Sequence, residues 1–143
     1  MGTPVIGYFL RLRVRNTGRS MARECEGKLV RIFDDQPRHE RTDFDPANLL
    51  WVGHSGENAI SIHKKAYEYL GVLNVQNRTP AISLGVNEQE PRGILLTLPR
   101  QDYILDIVIY GKNTEPVEKF FKLQIEAGFA VGYDRISLKE VTL

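Results

Sequence analysis

Arg11, Arg13 and Arg15 stand at alternate positions of the run Tyr8-Phe9-Leu10-Arg11-Leu12-Arg13-Val14-Arg15. In an extended chain that two-residue period turns three guanidinium groups to one face. Planar forks set side by side can hold phosphate or sulfate groups by bidentate contacts, and Arg19 and Arg23 lie near enough to extend the stripe. The plainer reading is a solvated outer sheet face that deters edge aggregation, its charges opposed by Glu24 and Glu26 on the neighbouring strand. Arg11, Arg13, Arg15 and Arg19 make up the candidate interaction face.

Other chemistry-bearing residues are present without the spacing their chemistry needs. Asp34, Asp35, His39, Asp43 and Asp45 offer oxygen and imidazole groups to a divalent cation, yet no EF-hand spacing appears and the acids are interleaved with bases. No metal site is assigned. His54, Ser55, Ser61 and His63 supply the residue types of a nucleophile and base, but no Gly-x-Ser-x-Gly elbow is present, and His54-Ser55-Gly56 reads as a turn. Cys25 sits between Glu24 and Glu26, whose charges would raise a thiol pKa, so it reads as a small buried hydrophobe. No glycine-rich run joins a strand to a helix as dinucleotide and phosphate loops require. No catalytic residue and no cofactor are expected. Tyr67, Tyr69, Phe129 and Tyr133 have rings able to stack on sugars, although strand aromatics usually serve as core or cross-strand partners. Asn77-Arg78-Thr79 has the form of a glycosylation sequon, weakened by the following Pro80.

The elements that would position these residues are almost all strands. Tyr8, Leu10, Leu12 and Val14 share the face opposite the arginines, and Asn16-Thr17-Gly18 ends the run as a turn. From Met21 to Phe33 the apolar parity moves from Cys25, Gly27 and Leu29 to Val30 and Ile32, the mark of a bulge. Asp34 to Pro46 has two prolines and no apolar period and reads as the longest surface loop. Leu49-Leu50-Trp51-Val52 reads as a brief central strand, with Trp51 the first choice of core residue. Ile60 with Ile62, and Tyr67 to Val75, suggest two strands about a bend, with a helix across His63 to Leu70 as the lesser reading. Ala81 to Val86 and Gly93 to Leu98 follow, joined by the polar stretch Asn87 to Arg92. The clearest pair is Tyr103 to Ile109 and Phe121 to Ile125, turning over Gly111 to Pro116, and Ile136, Leu138 and Val141 suggest a last strand after Gly128 and Gly132. About eight to ten short strands without helical alternation imply an all-β, antiparallel sandwich.

Composition is consistent with that class. The 143 residues suffice for one domain spanning 1–143, and 19 basic against 18 acidic residues give a net charge of +1, which provides no whole-molecule field for nucleic acid or an anionic membrane. The single cysteine excludes an intrachain disulfide, and no apolar run approaches the ~20 residues of a membrane-spanning helix. Met1-Gly2-Thr3-Pro4 lacks the order of a signal peptide and reads as a cloning start or a disordered end.

Val14-Arg15-Asn16-Thr17-Gly18, followed by Ala22 and the strand through Leu29, resembles the opening of bacterial and archaeal Ig-like domains of the cell-adhesion-related type. Leu98-Pro99-Arg100-Gln101-Asp102-Tyr103 resembles the tyrosine corner of fibronectin-type and Ig-type sandwiches, where a Tyr hydroxyl bonds back to the chain and fixes a crossing between sheets. The long Asp34 to Pro46 segment and the missing partner for Cys25 depart from the antibody-like pattern. The resemblance implies a spacer or adhesion module. The expectation is a noncatalytic interaction or structural module, the soluble domain of a larger or membrane-tethered protein, with an unidentified protein partner or self-association through a strand edge and no nucleic acid. A carbohydrate-binding module is the rival, and an envelope or capsid assembly component the third reading.

Overall fold

A computed structural model describes residues 7–76, 81–87, 97–127 and 134–143. The N-terminal Met1-Gly2-Thr3-Pro4, the sequon Asn77-Arg78-Thr79, the connection over 88–96 and the segment 128–133 with Phe129 and Tyr133 lie outside them. The described residues form eleven strands and no helix: β1 (Gly7–Arg15), β2 (Ala22–Asp35), β3 (Arg38–Glu40), β4 (Ala47–Leu49), β5 (Ile60–Ile62), β6 (Tyr67–Gln76), β7 (Ala81–Leu84), β8 (Thr97–Pro99), β9 (Tyr103–Gly111), β10 (Thr114–Ala127) and β11 (Asp134–Val141). They make an antiparallel β-sandwich. One sheet has the order β1-β6-β7-β8; the other runs β11-β10-β9-β2-β3, with β4 and β5 also pairing β2.

Side-chain alternation sets which face each strand buries. In β9, Tyr103, Leu105 and Ile107 point into the core, and across the sheet Leu29 and Ile32 of β2 and Leu123 of β10 join them, all essentially inaccessible. Leu70, Val72 and Val75 of β6, Ile82 of β7 and Leu98 of β8 come from the facing sheet. The parity change in β2 is a register slip between Leu29 and Arg31, which leaves Val30 as the extra residue and returns Ile32 to the core. At Gly27 the facing sheet comes close: the Cδ atoms of Leu70 occupy the space a Cβ there would need.

Three sequence expectations change in the structure. The segment from Asp34 to Pro46 is in part a hairpin, since Asp34 pairs with His39 and Asp35 with Arg38 before the chain leaves the sheet. Alternation could not reveal it, because Arg38, His39 and Glu40 are all exposed at the sheet margin and leave no apolar period. Leu49-Leu50-Trp51-Val52 is a crossing rather than a central strand. Leu49 pairs with Gly27 in one sheet, while Leu50 accepts from the Gly71 amide and Val52 donates to Tyr69 in the other. Lastly, Tyr67 to Leu70 is strand, so the helical reading of His63 to Leu70 does not stand.

Two side chains fix these crossings. Trp51 is buried, and its Nε1 donates to the carbonyls of Cys25 at 3.1 Å and Asn58 at 3.0 Å. The Tyr103 hydroxyl donates to the Pro99 carbonyl at 2.7 Å, tying the end of β8 in one sheet to the start of β9 in the other. On the outer face of the larger sheet, the fully buried Asp106 accepts from Arg31 Nε at 2.8 Å, and that guanidinium lies over the Phe33 ring at 5.3 Å.

Candidate functional site: the first strand and the cleft behind it

β1 is the edge of the smaller sheet, and among the described residues it is hydrogen-bonded on one side only, to β6. Phe9, Arg11, Arg13 and Arg15 point outward and Leu10, Leu12 and Val14 inward, as the two-residue period requires. The ladder opposes Arg13 to Tyr69 and Arg15 to Tyr67. Each of two guanidinium groups leans diagonally onto the next ring: Arg11 Cζ is 5.6 Å from the Tyr69 centroid and Arg13 Cζ 5.4 Å from that of Tyr67. Stacking of this kind holds the cation outward without neutralising it. Phe9 is 70% exposed and Tyr67 50%, so an aromatic and basic surface faces solvent.

This arrangement overturns the expected opposition by Glu24 and Glu26. Those residues belong to β2, in the other sheet, and Glu24 Oε2 pairs there with Lys112 Nζ at 3.4 Å. The tyrosines, not carboxylates, are the cross-strand neighbours of the arginines. Among the described residues, Arg11, Arg13 and Arg15 form no ion pair. Arg19 lies beyond the strand, exposed in the turn whose frame is Asn16. The Asn16 side chain accepts from the Gly18 amide at 2.9 Å and donates to the carbonyls of Ser20 at 2.8 Å and Ile62 at 3.0 Å, anchoring the end of β1 to β5.

Backbone polarity follows from the pairing. Asn16 donates to the Ala66 carbonyl and accepts from the Lys65 amide, so its backbone groups face the β6 side. Tyr69 and Gly71 bond away from β1, to Val52 and Leu50. The alternation of an antiparallel ladder therefore turns the N–H and C=O of Arg11, Arg13 and Arg15 toward the open edge.

Behind β1 the two sheets part and leave an apolar cleft of about 680 Å³. Its walls include Leu12 and Val14 on one side and Ile107, Ile109, Val117 and Phe121 on the other. The far lip is β10, whose pairing with β11 begins only at Phe120, and its charges are mixed: Glu115 stands there beside a Lys119–Glu140 ion pair at 3.1 Å. Sequence reasoning found the arginine face from its period. It missed the cleft, which arises because β1 is the last strand of its sheet.

The remaining candidates separate. Arg41 bonds both Asp34, at 3.2 Å, and Asp43, at 2.9 Å, and holds the Asp43 carboxyl below the usual carboxylate range; Asp35 faces Lys122 at 3.2 Å and Arg38 at 3.6 Å. Cations thus fill the positions a metal would have to take, and among the described residues no three His, Cys, Asp or Glu side chains converge as a metal site would need. His54 Nε2 lies 3.2 Å from Glu68, and Ser55 adopts φ +43° in the turn. Ser61 and His63 are exposed on and after β5. Cys25 is buried, and it is burial that pushes its thiol up, not the adjacent glutamates. Tyr67 and Tyr69 meet edge to face, their planes at 80°, and so do not form one flat platform. No protein-family model, curated protein or solved structure matches this chain.

Proposed function

We propose that the protein is a noncatalytic interaction module, an Ig-like domain of a larger or membrane-tethered protein, that captures a protein partner through β1. The observation that carries this reading is the combination in β1, among the described residues, of an edge with no strand on its outer side, outward guanidinium groups that form no ion pair, and a solvent-exposed Phe9. Natural sheets usually blunt such edges, and an edge left open is a template for strand addition. The hydrogen bond from Tyr103 to Pro99 supports the Ig-like reading, since it ties the two sheets as a tyrosine corner does.

The test is partner capture with the tagged domain from separate membrane and soluble fractions of its native cell, with Arg11→Ser/Arg13→Ser as the control. A partner retained by the parent and lost by the folded double variant is the expected result. A partner retained equally by both places the docking surface elsewhere, and no partner in either fraction overturns the reading.

Carbohydrate binding is the alternative, because Tyr67 and Tyr69 share the outer face with the arginines. The crossed ring planes favour it less than a flat pair would. A glycan panel reporting no ligand removes it.

A further inference from the structure

We infer that β1 recognises an extended segment in which acidic and apolar residues alternate, added as a fifth strand to the smaller sheet and running beside Leu12–Arg15. The inference rests on the reading of β1 as the docking element and adds the chemistry of what docks there.

Three features converge on one occupant. The outward N–H and C=O groups of Arg13 and Arg15 offer ladder partners to a new strand. Successive side chains of that strand must point to opposite faces. One set would enter the cleft against Leu12, Val14, Ile109 and Phe121, a part of the lining that favours apolar groups. The other set would lie on the outer face beside Arg11, Arg13 and Arg15, whose cross-strand neighbours on β6 are tyrosines and glycine. Opposite charges set side by side on adjacent strands attract, and like charges repel, so carboxylates suit that face and lysines do not. The opposite lip cannot supply the same selection, since Glu115 and the Lys119–Glu140 pair make it mixed. The period that places arginines out and leucine and valine in is the complement of the partner's own period.

The experiment uses the whole protein and capped peptides of about eight residues, the usual length of a sheet strand. One alternates Glu and Val, one Lys and Val, one Glu and Ser, and one carries the Glu and Val residues in two blocks. The Glu/Val alternation is expected to bind at least about tenfold more tightly than each of the other three, a difference calorimetry resolves readily. Its affinity falls as salt rises, and amide exchange slows at Arg13 and Arg15. Arg15→Ser and Arg15→Pro separate charge from backbone: both remove the guanidinium, but only proline also removes an edge N–H, and edge strands tolerate proline. With both variants shown folded by their melting curves, further loss in the proline variant supports strand addition, and equal binding by the two overturns it.

Equal affinity for all four peptides, absence of binding up to about 1 mM, or binding without protection at Arg13 and Arg15 also overturns the inference. If Arg11 and Arg13 are needed for partner capture while no peptide binds, the docking face stands and its assigned chemistry falls. A dimer that the Arg11→Ser/Arg13→Ser variant dissolves, with no peptide binding, makes the occupant a second copy and overturns it as well.

Discussion

The Tyr103 phenol joins packing and polarity in a single residue. Its ring is fully buried and its hydroxyl satisfies the Pro99 carbonyl at the crossing between sheets. Tyr103→Phe keeps the ring and leaves that carbonyl without this donor, so unfolding by urea should show a loss of about 1–2 kcal/mol. Burial also pushes the phenol up from its ordinary 10.0 to about 12. Below the ordinary value both folded and unfolded chains keep the proton, and the contribution is full. As pH rises from 10.0 toward 12 the unfolded chain ionises first, and the contribution is lost. A melting series through that range should therefore fall more steeply for the parent than for Tyr103→Phe; parallel curves would remove this group as the cause. Arg11 and Arg13 show the opposite use of an aromatic neighbour, since the exposed ring of Tyr67 and the half-buried ring of Tyr69 steady their charges at the surface.

At the scale of elements, β2 carries much of the architecture. It pairs β9, β3, β4 and β5 along its length, and the slip at Val30 lets one strand serve partners on both sides of the bulge. Gly27 sets how near β2 can come to β6, because Leu70 fills the missing side chain's place. Gly27→Ala should lower stability by about 1–3 kcal/mol through overpacking. Pairing it with Leu70→Ala, which makes room for the new methyl, should cost less than the sum of the two single changes in a double-mutant cycle. Strict additivity would mean that the two residues do not compete for space. The contrast with β1 is instructive: β2 lies inside its sheet, whereas β1 ends its own.

For the molecule as a whole, Trp51 and Cys25 report on the same core, since the indole donates to the Cys25 carbonyl where the chain crosses between sheets. A thiol held up in pKa and out of solvent should react with an aromatic disulfide reagent only when the sandwich opens. In a cooperative domain, the denaturant midpoint from Trp51 fluorescence should match that from Cys25 labelling. Labelling that runs well ahead of the fluorescence change would show that the cleft opens locally, because Cys25 also lines it.

How much could be read from sequence follows from how local each determinant is. The alternation of Leu10, Leu12 and Val14 against Arg11, Arg13 and Arg15 names a strand and its two faces, because side-chain direction in a strand depends only on parity. The same logic made the β9–β10 hairpin and the bulge in β2 legible, while the burial of Trp51 was read from its apolar run and not from parity. The strand Arg38–Glu40 escaped it, since backbone pairing at an exposed margin leaves no apolar period. Which strand lies beside β1 escaped it too: β6 is more than fifty residues away in sequence, and the choice between its tyrosines and the glutamates of β2 is made by sheet order. Sequence by itself determined the all-β class, the faces of β1 and the turn at Asn16. Only the tertiary structure decided that β1 ends its sheet with arginines among tyrosines and a cleft behind it, because an edge and a gap between sheets are properties of how strands are ordered in space.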